Sequence, residues 1–196
     1  MPDYVPSYDN TTLTPLKILV AGGFGTGKTT LVGAVSEITP LTTEEELTLA
    51  SDPTDSLAGV ESKITTTVAM DFGRITLRDQ RLVLLLFGAP GQQRFWFMWD
   101  DLAEGAVGAV VLADTRRLAD SFAAVEYFDR RHLPFVVAVN EFQDDAYRYT
   151  PEEVCEAMDL PHGVPVLLCD ARDTTSATGV LISLVEHALA CSSQGT

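Results

Sequence analysis

The chain of 196 residues is poor in basic side chains, with 13 lysines and arginines against 28 aspartates and glutamates. Its formal net charge is −15, and a surface of this sign repels the phosphate backbone of nucleic acids. This balance argues against nonspecific nucleic-acid binding. Residues 37–61 contain seven acidic side chains and no lysine or arginine. We expect this stretch to be an exposed loop with at most a short helix, serving either as a solvated surface or as an acidic surface for a partner.

Cysteine is also scarce, and the three that are present, Cys155, Cys169 and Cys191, form no Cys-x-x-Cys pair. Their number and spacing argue against a disulfide framework or a zinc site and favour a reducing compartment. No apolar run approaches the roughly 20 residues that span a bilayer. No basic stretch followed by an apolar one marks a secretory signal at the N-terminus. We therefore expect a cytoplasmic protein that does not insert into a membrane.

The hydrophobic pattern predicts one folded domain over residues 15–191, preceded by a disordered lead-in over 1–14 and followed by a flexible tail over 192–196. Apolar runs typical of strands alternate with apolar residues at helical spacing. The predicted strands cover residues 16–21, 64–77, 82–87, 107–112, 134–139 and 164–169. The short turn at Arg78-Asp79-Gln80 makes the second and third of these an antiparallel pair. The pattern as a whole predicts a three-layer α/β domain with a six-stranded, mostly parallel sheet.

Helices are predicted between these strands. The first continues after the loop that follows residue 21, with apolar side chains at Leu31, Val32, Val35 and Ile38. Leu118, Phe122 and Val125 mark the next helix, and Leu181 to Ala188 mark the last. A further helix begins after Thr150-Pro151, because Thr150 can cap it and proline is favoured at the first helical position.

The strongest chemical signal is the segment Gly22-Gly23-Phe24-Gly25-Thr26-Gly27-Lys28-Thr29, which matches the pattern G-x-x-x-x-G-K-[ST]. It follows an apolar strand and opens a periodic helix, which is the context that the motif requires. Its backbone N–H groups can surround an anion, Lys28 can reach β- and γ-phosphate oxygens, and the Thr29 hydroxyl can ligate Mg²⁺. The predicted phosphate-binding residues are Gly23, Phe24, Gly25, Thr26, Gly27, Lys28, Thr29 and Thr30.

Five elements downstream of this loop resemble those of Ras-like small GTPases, in the same order and at compatible spacing. They are the switch I-like segment 67–72, the Asp-x-x-Gly-Gln-like segment 88–92, the strand-like segment 110–115, the Asn-Lys-x-Asp-like start at Asn140, and the Ser-Ala-Lys-like segment 169–172. The sequences GGFGTGKTTLVGAVSEI, TTTVAMDFGRI, GAPGQQRFWFMW and LADTRRL resemble most closely the actinobacterial conservon GTP-binding proteins, relatives of the bacterial MglA-type GTPases. The resemblance covers about residues 16–190.

This resemblance implies a Ras-like P-loop fold and a molecular switch in signal transduction that binds GTP and GDP with Mg²⁺ and hydrolyses GTP. Thr29 would ligate Mg²⁺ in every state, whereas Thr67 would join it only beside a γ-phosphate. The Gly91 N–H would sense the γ-phosphate and Gln92 would orient the attacking water. Two alternatives remain: Gln92 as a plain surface amide, and Thr65 or Thr66 in the place of Thr67.

The base-binding residues implied by the resemblance are Asn140, Gln143, Asp144, Ala171 and Arg172. Gln143 stands where an aspartate normally accepts two hydrogen bonds from guanine, and Asp144 stands one residue late. The Ala171 N–H can still bind guanine O6. We expect a guanine site with reduced discrimination, and the alternative is relaxed specificity for ATP and GTP.

Three departures from the Ras-like pattern concern the metal ion and catalysis. Gly88 replaces the aspartate that normally holds a Mg²⁺-bound water, so we expect weaker Mg²⁺ dependence; Asp71 either substitutes for it or is a plain strand-end residue. Phe24 crowds the γ-phosphate, and Thr66 stands where MglA-like proteins carry an arginine. Arg94 is either a charge-neutralising group or a surface contact. We therefore expect slow hydrolysis without a partner, and a non-hydrolysing nucleotide-bound scaffold is the alternative.

An aromatic run, Phe95-Trp96-Phe97-Met98-Trp99, follows the second switch directly. Five consecutive apolar residues cannot all face inward on one helix, so some of this surface is expected to be exposed beside a nucleotide-sensitive segment. The resemblance implies a roadblock-domain partner and a membrane-linked, sensor kinase-like partner. These partners would recruit the protein peripherally to the membrane.

Overall fold

The computed structural model of the protein describes residues 13–49, 64–142 and 148–194. Within these ranges a seven-stranded sheet is flanked by helices on both faces. The strands are β1 (Thr14–Ala21), β2 (Leu41–Leu49), β3 (Ile64–Leu77), β4 (Leu82–Gly88), β5 (Ala106–Ala113), β6 (Phe135–Asn140) and β7 (Val166–Cys169). The α-helices are α1 (Lys28–Val35), α2 (Trp99–Ala103), α3 (Phe122–Arg130), α4 (Pro151–Ala157) and α5 (Thr174–Gln194). Two 3-10 helices, Gln93–Met98 and Thr115–Ser121, precede α2 and α3.

The strands lie in the order β2-β3-β4-β1-β5-β6-β7. β1 pairs in parallel with both β4 and β5, while β3 is antiparallel to β2 and β4. Among the described strands β3 alone runs against the others, so the predicted mostly parallel α/β sheet with one antiparallel strand is confirmed. The chain turns to opposite sides of β1 to form β4 and β5, and ligands of open α/β sheets bind at the carboxyl ends of strands at such a switch point.

Two apolar layers cover the sheet because side chains alternate between its faces. Ile18 and Val20 of β1 pack toward α1 and α5, together with Leu184 of α5. Leu19 of β1 packs toward the other helices, together with Phe128 of α3. All five side chains are at most 1% exposed. These two layers fix the carboxyl end of β1, from which the candidate site begins.

The predicted loop over residues 37–61 is wrong over residues 41–49, which form β2 at the edge of the sheet. Every residue from Leu41 to Leu49 pairs in register with β3, from Phe72 back to Ile64. The antiparallel ladder supplies hydrogen-bond partners for this backbone, so the three consecutive glutamates within it do not prevent strand formation. Residues 50–63 of the same predicted loop lie outside the described residues.

The first helix is shorter than its periodicity predicted, because it ends at Val35 rather than continuing through Ile38. Ser36 is extended, and its hydroxyl accepts a hydrogen bond from the Arg74 N–H of β3. Glu37 accepts a 2.7 Å hydrogen bond from the Arg74 side chain. Tertiary contacts with β3 thus stop the helix. Leu118 likewise lies in a 3-10 helix, and the α-helix begins only at Phe122.

The predicted start of α4 is confirmed in detail. The Thr150 hydroxyl accepts a hydrogen bond from the Glu153 N–H, and the Glu153 carboxylate accepts one from the Thr150 N–H. This is a capping box with Pro151 at the start of the helix. In the predicted lead-in and tail, residues 1–12 and 195–196 lie outside the described residues. No helix in the described part of the chain is long and apolar enough to cross a membrane.

Two glycine-to-alanine substitutions should have opposite effects on stability. A Cβ atom at Gly73 would lie 2.7 Å from Cγ1 of Val32 on α1, whereas a Cβ atom at Gly179 would meet nothing within 4 Å. We expect Gly73→Ala to lower the free energy of unfolding by about 1–3 kcal/mol through overpacking. Gly179→Ala should raise it by about 0.5–1 kcal/mol, because alanine favours the helical backbone of α5. Urea unfolding of the two variants measures both values, and a stabilising Gly73→Ala would contradict the packing of α1 on β3.

Candidate nucleotide-binding site

The segment between β1 and α1 turns through three glycines with positive φ. Gly22, Gly25 and Gly27 have φ angles of 137°, 76° and 101°, which residues with a side chain rarely adopt. At Gly22 a Cβ atom would also lie 2.2 Å from the Leu112 carbonyl oxygen of β5. Alternating backbone conformations of this kind form concave rows of N–H groups that bind anions, and the N-terminus of α1 follows directly.

The Lys28 side chain folds back over this loop. Its Nζ donates hydrogen bonds to the carbonyl oxygens of Gly22 at 3.1 Å and Gly23 at 2.6 Å. Burial lowers the pKa of Lys28 to about 8, and the charge of the nearby Asp71 carboxylate opposes this shift. Phosphate oxygens beside Nζ would favour its charged form, because opposite charges stabilise each other at short distance. The ammonium group thus lies over the loop, as the motif predicts.

The Thr29 hydroxyl lies beside a carboxylate that belongs to another strand. It donates a 2.6 Å hydrogen bond to Oδ2 of Asp71 on β3. Asp71 is only 7% exposed. Thr30, which follows Thr29 in α1 and was also predicted to bind phosphate, is exposed. Mg²⁺ is commonly held by one or two protein oxygens together with waters and substrate phosphates. The hydroxyl and the carboxylate found here therefore fit that ion.

The segment that leaves β4 packs directly against the loop. A Cβ atom at Gly91 would lie 2.7 Å from the Gly22 carbonyl oxygen and 2.8 Å from Lys28 Nζ, so the Gly91 backbone approaches as closely as glycine permits. Gln92 and Phe24 line the same surface pocket. The Phe24 side chain is 67% exposed. The structure therefore brings together the loop, Gly91 and Gln92.

Thr67 is not brought to the loop in this conformation. Its backbone lies in β3, in register with Glu46 of β2. It lies four positions before Asp71 in the strand, which corresponds to about 13 Å at the rise of an extended strand. Thr66 and Thr65 lie still farther from Asp71 along the same strand. The second predicted magnesium ligand would thus have to move in order to reach Thr29.

Asn140 connects the phosphate loop to the segment predicted to read the base. It ends β6 and is 6% exposed. Its Nδ2 donates to the Thr26 carbonyl oxygen at 3.0 Å, and its Oδ1 accepts from the Ala171 N–H at 3.0 Å. Thr26 in turn donates through its hydroxyl to the Gly23 carbonyl oxygen at 3.0 Å. Asn140 therefore positions both segments relative to each other.

The other predicted base-binding residues are only partly accounted for. Gln143 and Asp144 lie outside the described residues. Arg172 donates two hydrogen bonds of 2.8 Å to the Asp170 carboxylate, and these bonds lower the pKa of Asp170 to about 2. In this conformation Arg172 is therefore paired with a carboxylate.

Sequence analysis missed Arg117, which contacts the phosphate loop. Its Nη2 donates a 2.9 Å hydrogen bond to the Phe24 carbonyl oxygen. The guanidinium also lies 3.6 Å from a carboxylate oxygen of Asp114 and 3.8 Å from one of Asp120. The available signal was the position of Arg117 just after β5, because β5 is parallel to β1 and their carboxyl ends meet. Arg94 was considered instead because it follows Gln92 in sequence; its backbone lies in the 3-10 helix Gln93–Met98.

The aromatic run divides between core and surface, as predicted. Phe95 and Trp99 are 3% and 4% exposed, and Trp99 Nε1 donates to the Pro90 carbonyl oxygen at 3.1 Å. Phe97 is 61% exposed. The inward rings tie this segment to the core, while Phe97 leaves an aromatic surface five residues after Gln92.

Removing the Asn140 side chain should destabilise the protein even without a ligand. Asn140→Ala leaves the buried Thr26 carbonyl and Ala171 N–H without their partner, and each buried unpaired group costs about 1–3 kcal/mol. We expect the free energy of unfolding, measured with urea, to fall by about 2 kcal/mol or more. Arg148→Ala is the control. It removes an exposed 2.7 Å ion pair with Glu141, the residue after Asn140, and should lower the free energy of unfolding by less than about 1 kcal/mol. Equal losses in the two variants would contradict a positioning role for Asn140.

Solved structures of the same fold include parts of the FeoB iron transporter of T. maritima. The cytosolic domain in a GDP form has a TM-score of 0.63 and 17% identity, covering 90% of this chain and 64% of that chain. The G domain has a TM-score of 0.58 and 19% identity, covering 91% and 99%. This chain thus spans just under two thirds of the FeoB cytosolic domain and nearly all of its G domain. At these identities the likeness shows the fold alone.

Sequence comparison gives a more specific result. The Uncharacterized protein MJ1339 of Methanocaldococcus jannaschii is 28% identical over 128 residues, covering 64% of this chain and 70% of that protein. Residues 20–191, which include the phosphate loop, Asn140 and most of α5, match the family described as conserved hypothetical ATP binding protein. On the extent of that match, the chain is a member of the conserved hypothetical ATP binding protein family.

Proposed function

We propose that the protein is a guanine-nucleotide switch that hydrolyses GTP slowly and acts in bacterial signalling. The observation that carries the proposal is the direct packing of the Gly91 backbone on the phosphate loop. A Cβ atom added at Gly91 would lie 2.7 Å from the Gly22 carbonyl oxygen and 2.8 Å from Lys28 Nζ. A γ-phosphate bound at Lys28 has to be accommodated against this backbone. The presence or absence of that group is thereby transmitted to the segment that leads to Gln92 and Phe97.

The second moving part of the switch is the amino-terminal half of β3. Its backbone is held in the sheet by β2, with Thr67 about 13 Å along the strand from Asp71. Coordination of Mg²⁺ by Thr67 beside a γ-phosphate requires this half of β3 to leave its present register. Nucleotide state would therefore be coupled to an order change at the sheet edge, as in other γ-phosphate switches.

The base is the point on which a second candidate function rests. The family description names ATP, and the segment after Asn140 lacks the Asn-Lys-x-Asp sequence that reads guanine. An adenine-nucleotide protein is therefore the alternative. We favour guanine because residues 169–172 resemble the Ser-Ala-Lys element, whose backbone N–H binds guanine O6. In this conformation the Ala171 N–H donates to Asn140 Oδ1, so guanine binding would exchange that hydrogen bond for one to O6.

Competition between unlabelled nucleotides for the site will decide between the two bases. We expect GTP to displace fluorescent GDP at a concentration at least about tenfold lower than ATP, a difference of 1.4 kcal/mol in binding free energy. Lys28→Ala should abolish binding of both, because it removes the cation over the loop. Displacement by ATP at an equal or lower concentration than GTP would establish the adenine candidate.

Hydrolysis is proposed to depend on Gln92 and to be slow. Gln92 lines a pocket with the exposed Phe24 ring, which restricts the room for the attacking water. Arg117 is anchored to the Phe24 carbonyl and to two carboxylates. Charge stabilisation of the transition state therefore falls to a partner, and unassisted hydrolysis is limited.

Single-turnover hydrolysis of GTP measures this dependence. We expect a rate on the order of 10⁻³ per second for the unmodified chain, and a rate at least about tenfold lower for Gln92→Ala, because water orientation is lost. Gln93→Ala is the matched control and should leave the rate unchanged. No hydrolysis by the unmodified chain would favour the non-hydrolysing scaffold. A measurable rate that is equal in all three proteins would contradict the role of Gln92, and turnover at several per second would contradict slow hydrolysis.

The proposed partners are a roadblock-domain protein, which would accelerate hydrolysis, and a sensor kinase-like membrane protein. Phe97, which is 61% exposed, offers an apolar contact in the segment that responds to the γ-phosphate. The net charge of −15 favours basic partner surfaces. Through such contacts a cytoplasmic protein would be recruited to the membrane without inserting into it.

A further inference from the structure

We propose that the carboxylate of the Mg²⁺ site comes from β3, from Asp71, instead of from the end of β4, where the chain has Gly88. This inference rests on the proposed binding of a nucleotide with Mg²⁺ at the phosphate loop. It replaces the sequence-based expectation of weak Mg²⁺ dependence.

The first support is the contact between Asp71 and the hydroxyl predicted to bind the metal. Asp71 Oδ2 lies 2.6 Å from Thr29 Oγ1. An ion ligated by the Thr29 hydroxyl is therefore within reach of this carboxylate, either directly or through one of the waters that Mg²⁺ retains. The hydroxyl comes from the motif itself, while the carboxylate comes from a residue 42 positions away in sequence.

The second support is that Asp71 fills the space that a side chain at position 88 would need. Asp71 and Gly88 are directly opposite each other in the antiparallel β3–β4 register. A Cβ atom at Gly88 would lie 3.0 Å from Asp71 Cβ and 3.0 Å from its Oδ2. Contacts this short are tighter than most real Cβ contacts, so Asp71 would have to shift by a few tenths of an ångström to admit a side chain at position 88. Glycine at 88 thus leaves room for Asp71 in its present position.

The third support is the burial of the charge. Asp71 is only 7% exposed, and a buried carboxylate is costly unless cations or hydrogen-bond donors surround it. The Lys28 ammonium group is one such cation, and the negative charge of Asp71 raises the pKa of Lys28 against the effect of burial. A divalent cation at Thr29 would be a second. Asp71 is therefore built into the wall of the site.

The test transposes the carboxylate between the strands and measures how Mg²⁺ slows the release of fluorescent GDP. In the unmodified chain, chelation of Mg²⁺ should strongly accelerate release. Asp71→Asn keeps the size of the side chain and should raise the Mg²⁺ concentration for half-maximal retention by about 10–100-fold, the usual cost of losing an outer carboxylate. The double variant Asp71→Gly with Gly88→Asp should recover most of this loss. Release measured in chelator should be similar in Asp71→Asn and the unmodified chain.

Asp101→Asn controls for the change of charge, because Asp101 is exposed on α2, and it should leave the Mg²⁺ dependence unchanged. An unaltered Mg²⁺ dependence in folded Asp71→Asn would overturn the inference. So would an equal acceleration of release by that variant with and without Mg²⁺, because this would indicate a purely structural contact. Titration of Mn²⁺ into the GDP complexes, followed by electron paramagnetic resonance, gives the same comparison if the double variant does not fold. Absence of GDP binding by the unmodified chain in any Mg²⁺ concentration would instead refute the proposed function.

Discussion

The backbone conformation of the loop between β1 and α1 is the constraint on which the rest of the site depends. Three glycines with positive φ shape it, and four separate parts of the chain then hold it. Lys28 binds its carbonyls from α1, Asn140 from β6 and Arg117 from the segment after β5. Gly91 packs on it from the segment after β4. Because all these contacts are made with one loop, a change in the ligand that the loop binds can alter the geometry of each contact.

Much of this architecture could be predicted from the sequence because its signals are local. β5 is an uninterrupted apolar run, β1 ends in one, and the carboxyl halves of both strands are buried. The loop motif occupies eight consecutive residues. The capping box at Thr150 is likewise defined within four residues. The six strands predicted from these patterns are all present, and β3 is the antiparallel one. Gly91 and Gln92 are far from the loop in sequence. Only the resemblance to Ras-like proteins led us to expect them beside it.

The features that could not be predicted depend on pairing between distant residues. The acidic sequence of residues 41–49 reads as a loop by itself, and only the ladder with β3 makes it a strand. Asp71 could be weighed as a metal-site residue from sequence, but the choice required the β3–β4 register and the room left by Gly88. Arg117 reaches Phe24 across 93 residues of sequence. Its role follows from two parallel strands ending side by side.

If the loop binds a nucleotide polyphosphate, its own main-chain amides are the atoms that report it most directly. The decisive measurement is the amide ¹H–¹⁵N correlation spectrum of the labelled chain, titrated with GDP and Mg²⁺. The account predicts that the amides of Gly25, Gly27, Lys28 and Thr29 shift more than those of α4 on the far part of the sheet. Resonances of the loop amides that do not shift at millimolar concentrations of guanine and adenine nucleotides would contradict it.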